Sequence, residues 1–223
     1  MIRHRVAVLI SGRGSNMTSL IEVSREPDYP ATIALVVSNR PAAAGLERAH
    51  IAGVEALAID HEIHSTRESF EQALDTALRE RAIDIVCLAG FMRRLTPWFV
   101  ERWAGRMLNI HPSLLPLFRG IHTHERALAA GVLVHGCTVH YVVPELDAGP
   151  ILAQAAVPVI PGDTPETLAA RVLAQEHVIY PRAVQMVCSG EARLDGSRVV
   201  FTARWDGGAA LRSPDEASLL LED

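Results

Sequence analysis

The sequence has few cysteines, and their spacing fits neither a disulfide framework nor a zinc site. Its 3 cysteines, Cys87, Cys137 and Cys188, lie far apart in apolar stretches. A disulfide framework uses an even number of cysteines, and a zinc site needs its ligands at short characteristic spacings. These thiols are therefore expected to be buried and reduced, which predicts a cytoplasmic protein.

Long apolar runs and clustered basic residues are also missing. No segment approaches the ~20 apolar residues that cross a bilayer, and the apolar run over residues 1–11 is too short for a signal peptide. The net charge is -5 and the pI is near 6.1, without the basic stripe of a nucleic-acid surface. We therefore expect neither a membrane nor a nucleic acid as a partner.

Several catalytic classes lack their motifs. No Gly-x-Ser-x-Gly turn is present, and no cysteine lies in a polar setting, which argues against serine and thiol nucleophiles. The four histidines His122, His124, His135 and His140 could suggest a metal centre. However, no cysteine or aspartate completes a ligand set at the usual spacing, so we expect no metal.

Apolar runs of strand length alternate with helical patterns through the first half of the chain. The runs are continuous, as in strands buried on both faces, and predict a parallel sheet covered by helices. Strands are expected over residues 5–10, 31–38, 54–59, 84–89, 106–110, 136–143, 150–160 and, at a sheet edge, 198–204. Helices are expected from about residue 17 and over residues 42–52, 65–81, 123–130 and 163–188, the last kinked or divided at Pro181.

The predicted fold class is therefore α/β, with a mostly parallel sheet that becomes mixed in the C-terminal half and helices on both faces. Two of the later strands are joined by a short acidic turn, which is why the sheet is expected to become mixed. No repeat or linker divides the chain. We expect one domain over residues 1–205 and a mobile tail over residues 206–223, which are rich in glycine, serine and acidic side chains.

A glycine-rich loop, Ser-Gly-Arg-Gly-Ser-Asn at residues 11–16, connects the first predicted strand to the first helix. Such a loop points backbone N–H groups at an anion near the positive end of the helix. A dinucleotide loop would have glycine in place of Met17, and a triphosphate loop would contain Gly-Lys-Ser/Thr. The loop therefore predicts a phosphate site of another kind, or a tight turn that binds nothing.

Two polar side chains share one face of a predicted strand end. Residues two apart in a strand point the same way, so Asn109 and His111 project together while Leu108 and Ile110 face the core. Pro112 ends the strand, and open α/β sheets bind ligands at such carboxyl ends. The pair predicts an amide donor beside a titratable imidazole; the alternative is a structural hydrogen-bonded pair.

An aspartate in a turn is a candidate charge partner for this imidazole. Asp147 lies between Pro144 and Pro150 in a turn-like segment. A carboxylate beside an imidazole favours the protonated ring. Asp147 would therefore favour the protonated form of His111. The alternative is an exposed turn residue.

Five segments together resemble the phosphoribosylglycinamide formyltransferase family. They occur in the family's order over roughly residues 5–190, and the ordered set is highly specific. The segments are residues 11–16, Leu-Ala-Gly-Phe-Met-Arg at 88–93, Leu-Asn-Ile-His-Pro-Ser-Leu-Leu-Pro at 108–116, Glu-Leu-Asp-Ala-Gly-Pro at 145–150 and Gln-Glu-His-Val-Ile-Tyr-Pro at 175–181.

The resemblance implies a Rossmann-like formyltransferase fold. It implies formyl transfer from the cosubstrate 10-formyltetrahydrofolate to the amine of glycinamide ribonucleotide in purine biosynthesis, by a monomer or homodimer. The implied catalytic residues are Asn109, His111 and Asp147. The implied substrate-binding residues are Gly14, Ser15, Asn16 and Glu176. The implied folate-binding residues are Arg67, Met92, Arg93, Arg94, Leu95, Asn109, Val143, Pro144, Glu145, Leu146 and Asp147.

The sequence departs from the family pattern near the implied phosphate site. Leu117 and Leu173 stand where relatives carry lysine or another polar side chain. The backbone of the glycine loop, helped by Arg13 or Arg171, is therefore expected to hold the phosphate. The resemblance also suggests a cis peptide bond before Pro116.

Three alternatives remain open. Formyltetrahydrofolate deformylase uses water in place of the amine, but its relatives usually carry an extra N-terminal domain and a histidine where Pro112 stands. Methionyl-tRNA formyltransferase needs a C-terminal RNA-binding domain, for which the chain is too short and too acidic. A non-enzymatic phosphate-binding or folate-binding module would need the glycine loop but not Asn109, His111 and Asp147 together.

Overall fold

Strands and helices alternate through most of the chain in the computed structural model, which describes residues 3–202 and Ser213. The strands are β1 (His4–Ile10), β2 (Ala31–Ser38), β3 (Ala56–Ala58), β4 (Ile85–Leu88), β5 (Met107–His111), β6 (Val134–Tyr141), β7 (Ile151–Pro158), β8 (Ala192–Asp195) and β9 (Arg198–Phe201). The helices are α1 (Ser15–Val23), α2 (Ala44–Ile51), α3 (Arg67–Glu80), α4 (Pro97–Arg102), α5 (Thr123–Ala129) and α6 (Pro165–Cys188), with a 3-10 turn at His61–Ile63.

A seven-stranded mixed sheet forms the centre of the fold, in the order β3-β2-β1-β4-β5-β6-β7. Strands β1 to β5 run parallel, and β6 and β7 are each antiparallel to the strand before them. The predicted α/β class with a sheet that becomes mixed is confirmed. The strand order reverses between β1 and β4, and open sheets bind ligands at the carboxyl ends on either side of such a reversal.

Strand β1 shows why the sheet is covered on both faces. Its residues Val6, Val8 and Ile10 pack in the cluster that contains buried side chains of α1, α2, α5 and α6. Ala7 and Leu9 pack in the cluster that contains α3 and α4. Because successive strand residues point to opposite faces, a continuous apolar run needs cover on both sides, as predicted.

Two short elements differ from the sequence-based expectation. Helix α4 has only 6 residues, too few for a periodic apolar pattern; its start is set by the Thr96 cap and by Pro97 in the first turn. The strand expected over residues 198–204 is present as β9, but outside the seven-stranded sheet, and residues 203–204 lie outside the described part of the chain. It ends at Phe201 and pairs with β8 in a separate two-stranded sheet, because the preceding residues supply an antiparallel partner across a tight turn.

Helix α6 continues through Pro181, so of the two expected outcomes, a kink or a division, the division is wrong. Proline has no N–H to donate to the carbonyl four residues earlier. The carbonyl oxygen of His177 instead accepts a hydrogen bond from the Ser19 hydroxyl at 3.2 Å. A side chain on α1 thus supplies the hydrogen bond that the His177 carbonyl cannot receive from Pro181.

The structure also bears on the expectations for the cysteines, for the peptide bond before Pro116 and for the tail. Cys87, Cys137 and Cys188 are buried and free, as predicted, and the peptide bond between Leu115 and Pro116 is cis. Among helices in the described part of the chain, none combines the length and apolar character of a membrane span. The tail expected over residues 206–223 lies outside the described residues apart from Ser213, and the single domain over residues 1–205 stays a prediction.

Candidate active site

Strand β5 brings the side chains of Asn109 and His111 to one face at its carboxyl end. Leu108 and Ile110 are buried in the core on the opposite face, as the alternation of strand residues requires. The strand lies between parallel β4 and antiparallel β6, so its backbone is held on both sides. An amide and an imidazole therefore sit together on a rigid element.

His111 is almost fully buried, with 5% of its surface exposed. Its Nδ1 lies 3.4 Å from Oδ2 of Asp147, and its Nε2 lies 3.0 Å from the carbonyl oxygen of Phe118. Both of these partners are acceptors, so a doubly protonated ring would donate to both. The sequence reasoning anticipated the aspartate; it missed the Phe118 carbonyl, because a backbone group leaves no signal in a residue pattern.

Asp147 is held over His111 by its own loop, between β6 and β7. Its backbone φ is 48°, a left-handed conformation that aspartate adopts more readily than most residues. Its Oδ2 accepts a hydrogen bond from the backbone N–H of Gly120 at 2.8 Å. Nearby, Gly149 passes so close to β6 that an added Cβ would overlap the carbonyl oxygen of Tyr141. The loop is therefore pinned against the sheet with its carboxylate in a fixed place.

His140 belongs to the same group of side chains, although sequence reasoning considered it only as a metal ligand. It lies opposite Asn109 in the antiparallel register of β5 and β6, with 3.1 Å between Asn109 Nδ2 and His140 Nε2. Its Nδ1 lies 2.9 Å from the carbonyl oxygen of Tyr141, and its Nε2 lies 3.8 Å from Asp147 Oδ1. Burial lowers the pKa of His140, against the opposing effects of the Tyr141 carbonyl and the Asp147 carboxylate.

The glycine loop leads into helix α1 in a geometry that suits an anion. Gly14 is the N-cap, with a positive φ of 70°, and no side chain among the described residues caps the helix. The N–H groups of the first turn, which begins with Ser15 and Asn16, are therefore open to a phosphate.

A buried pair of side chains connects this loop to α6. Asn16 Nδ2 donates a hydrogen bond to Oε2 of Glu176 at 2.6 Å, and both side chains are buried. Asn16 Oδ1 is also buried and has no partner among the described residues. Burial raises the pKa of the Glu176 carboxyl, and the hydrogen bond from Asn16 offsets part of that rise. The glycine loop and Glu176, which the resemblance assigns to the same substrate, thus meet.

The buried carboxyl of Glu176 predicts a pH-dependent stability. A group whose pKa is raised by folding stabilises the protein below its unfolded pKa of about 4.3, and this contribution is lost as the pH rises through the folded pKa. We therefore expect Glu176→Gln to have a higher Tm than the parent at about pH 8, with the difference closing near about pH 4.

Thermal unfolding across this pH range measures the effect, with Glu22→Gln on the exposed side of α1 as the matched control. The control should follow the parent at every pH. A Glu176→Gln variant that is less stable than the parent at high pH would contradict the assigned effect of burial.

The phosphate site that the resemblance implies has little help from side chains. The two terminal guanidinium nitrogens of Arg171 donate to the Asp163 carboxylate, at 2.8 and 2.9 Å, and hold its pKa well below the usual range. The expectation that Arg171 helps to bind phosphate is therefore not supported. Arg13 and Leu117 are exposed, and the 21 basic residues of the whole chain are all arginine, so no lysine could substitute. Of the groups expected to hold a phosphate, the uncapped backbone N–H groups of the loop are the ones left open.

A cleft beside Asn109 gathers most of the residues that the resemblance assigns to the folate. It is lined by Leu88, Phe91, Arg93, Arg94, Leu95, Val100, Asn109, His140, Val142, Val143, Pro144, Glu145, Leu146 and Asp147. Arg67 and Met92 lie outside this lining: Arg67 begins α3, and the backbone N–H of Met92 donates to the Ser11 hydroxyl at 2.7 Å.

Of the other histidines considered as metal ligands, His122 is exposed, whereas His124 and His135 pack against each other. The rings of His124 and His135 meet edge to face with centroids 5.3 Å apart, and burial lowers the pKa of His135 to about 4. Within residues 3–202 and Ser213, no three His, Cys, Asp or Glu side chains are grouped to hold a metal ion. His124 and His135 therefore serve packing in the described structure.

Comparison with known proteins gives a consistent result. Residues 4–184 match the family model described as formyl transferase. The chain is 43% identical over 201 residues to phosphoribosylglycinamide formyltransferase of Escherichia coli (strain K12), covering 87% of this chain and 95% of that protein. It is 55% identical over 190 residues to the trifunctional purine biosynthetic protein adenosine-3 of Bos taurus, covering 85% of this chain. The chain spans only 19% of the length of that larger relative.

A solved structure agrees with the sequence matches. Glycinamide ribonucleotide transformylase 1 from Symbiobacterium toebii superposes with a TM-score of 0.87 at 46% identity, covering 89% of this chain and 94% of that chain. The family match spans the glycine loop, β5 and the Asp147 loop. The chain therefore belongs to the phosphoribosylglycinamide formyltransferase family.

Proposed function

We propose that this chain transfers the formyl group of 10-formyltetrahydrofolate to the amine of N1-(5-phosphoribosyl)glycinamide in purine biosynthesis, with Asn109, His111 and Asp147 as its catalytic residues. The observation that carries the proposal is the convergence of these three side chains at the end of β5, where His111 Nδ1 lies 3.4 Å from Asp147 Oδ2. Family membership supports both substrates, and tetrahydrofolate leaves as the second product.

The reaction forms one carbon–nitrogen bond and breaks another. The substrate amine attacks the formyl carbon, and the formyl oxygen becomes an oxyanion. The amide N–H of Asn109 and the imidazolium of His111 donate hydrogen bonds to it. The charged oxygen displaces the Phe118 carbonyl from the Nε2–H of His111, because a charged acceptor binds an N–H group more strongly than a neutral carbonyl does.

Asp147 supports the reaction in two ways. Its negative charge stabilises the His111 imidazolium beside it. It also accepts the proton that the attacking amine loses and passes it to the folate nitrogen as the old carbon–nitrogen bond breaks. The hydrogen bond from Gly120 keeps the carboxylate in place during both steps. No covalent bond to the enzyme is needed.

The two substrates enter from different sides of this centre. The phosphate binds to the N–H groups at Gly14, Ser15 and Asn16, and Glu176 binds the ribose hydroxyls. The folate occupies the cleft beside Asn109 and contacts Arg67, Met92, Arg93, Arg94, Leu95, Val143, Pro144, Glu145 and Leu146. The three free buried thiols suit a reducing cytoplasm, where the protein acts as a monomer or homodimer.

A formyl-transfer assay tests the proposal. The purified chain is mixed with 10-formyltetrahydrofolate, with and without the glycinamide ribonucleotide. We expect tetrahydrofolate to form only when the ribonucleotide is present, together with the formylated ribonucleotide. Equal folate release without the amine would indicate the deformylase reaction. Binding of folate or ribonucleotide without conversion in either mixture would indicate a non-enzymatic module.

A further inference from the structure

The imidazole of His140 is fixed by hydrogen bonds at both nitrogens. Nδ1 lies 2.9 Å from the carbonyl oxygen of Tyr141, and Nε2 lies 3.1 Å from the amide nitrogen of Asn109. A carbonyl oxygen can only accept, so Nδ1 carries the proton. An amide nitrogen can only donate, so Nε2 is unprotonated and its lone pair accepts the hydrogen bond from Asn109.

This assignment requires a neutral ring, and the surroundings favour one. His140 is only 2% exposed, and burial is the largest influence on its pKa, which is lowered. The charged or titratable groups that face it are Asp147, whose carboxylate favours the protonated ring, and His111, whose charge disfavours it. A neutral ring with its proton on Nδ1 has a single acceptor position, and Asn109 occupies it.

We propose that His140 is a positioning residue that orients the amide of Asn109, so that an N–H group rather than the carbonyl oxygen faces the developing oxyanion. The inference rests on the proposed function, in which Asn109 donates to the formyl oxygen. The two ends of an amide are nearly equal in size, so packing alone does not select one. The lone pair of His140 selects the nitrogen, and the second N–H of that nitrogen is left for the formyl oxygen.

His140 acts through Asn109 because its own ring has no N–H to offer a substrate. Without the acceptor, the amide can rotate and present its oxygen to the oxyanion. An oxygen in that place repels the charge that the N–H stabilises, and the loss is confined to the transition state. The expected signature is therefore a lower kcat with little change in either KM.

Two amide substitutions separate this role from simple packing. In His140→Gln the side-chain oxygen reaches the position of Nε2 and can still accept from Asn109. In His140→Asn the side chain is one methylene shorter and does not reach. We expect kcat within about threefold of the parent for His140→Gln and about tenfold lower for His140→Asn, with both KM values nearly unchanged.

A double-mutant comparison tests the route through Asn109. Each substitution is combined separately with Asn109→Ala. The two double mutants should have the same kcat, because no Asn109 amide remains to be oriented. Equal kcat of His140→Gln and His140→Asn in the parent background would overturn the proposal. A tenfold difference in kcat between the two His140 variants that persists in the Asn109→Ala background would also overturn it. If the parent itself transfers no formyl group, the proposed function fails instead, and the two failures are distinguishable.

NMR of the ring nitrogens, in parent protein whose histidines carry a nitrogen isotope label, provides a second readout. It needs neither enzyme activity nor a substitution of His140. We expect Nε2 of His140 to resonate as an unprotonated ring nitrogen that accepts a hydrogen bond, and to shift when Asn109 is replaced by alanine. A protonated Nε2 in the parent would overturn the proposal, because the ring would then bind the amide oxygen.

Discussion

Replacement of His111 by alanine is expected to lower kcat about a thousandfold while the protein stays folded, a loss of about 4 kcal/mol in transition-state stabilisation. The substitution removes a positively charged donor that faces the formyl oxygen in the proposed reaction. It also leaves Asp147 without its charge partner 3.4 Å away. KM should change much less, because the oxyanion does not exist in the ground state.

The measurement is steady-state formyl transfer, with the fold checked by thermal unfolding. Because His111 is buried, alanine leaves a space, so His111→Gln is the second variant and should also lose activity. His50→Ala, an exposed position on α2, is the control for loss of a histidine and should behave as the parent. A folded His111→Ala enzyme with near-parent kcat would remove His111 from the mechanism.

Replacement of Asp147 by asparagine is expected to lower kcat about a hundredfold. The change removes the charge and nearly preserves the shape. Asparagine tolerates the left-handed backbone at this position, and its side-chain oxygen can still accept from the Gly120 N–H. The loop should therefore keep its place, so the loss reports on the missing charge and the missing proton acceptor.

The control for this variant is Asp28→Asn, which neutralises an exposed carboxylate elsewhere on the chain. Its kcat should match that of the parent, and Asp147→Asn should unfold at a similar temperature. If Asp147→Asn retained parent activity, the carboxylate could be neither the proton acceptor nor the required partner of His111. An unfolded variant would be replaced by Asp147→Ser, for which the same loss is expected.

Much of the fold could be predicted because its signals are local. The strand β2 coincides with the predicted run over residues 31–38, and α3 closely matches the predicted helix over residues 65–81. Each of these elements buries a continuous or periodic set of apolar side chains, which the sequence displays directly. Helix α4 was not predictable in this way, because its 6 residues span less than two turns.

The candidate site could be predicted in part. Asn109 and His111 share a strand face whichever strands lie beside β5. The alternation of side chains along a strand was therefore sufficient to predict the pair. His140 was missed because its position opposite Asn109 depends on the register of β5 with β6, 31 residues away. Arg171 was considered, as an alternative to Arg13, as a helper for the phosphate because its charge is visible in the sequence; its ion pair with Asp163 is not.

The sequence by itself determined the α/β class, the strand-end pair of Asn109 and His111, and a family resemblance that the comparisons confirm. These depend on residue identity and on spacing along the chain. Only the tertiary structure decided which groups meet across the sheet: the Phe118 carbonyl on His111, the Gly120 N–H on Asp147, and the His140 lone pair on Asn109. Hydrogen bonds are directional over about 3 Å, so they depend on register and loop geometry that no residue pattern specifies.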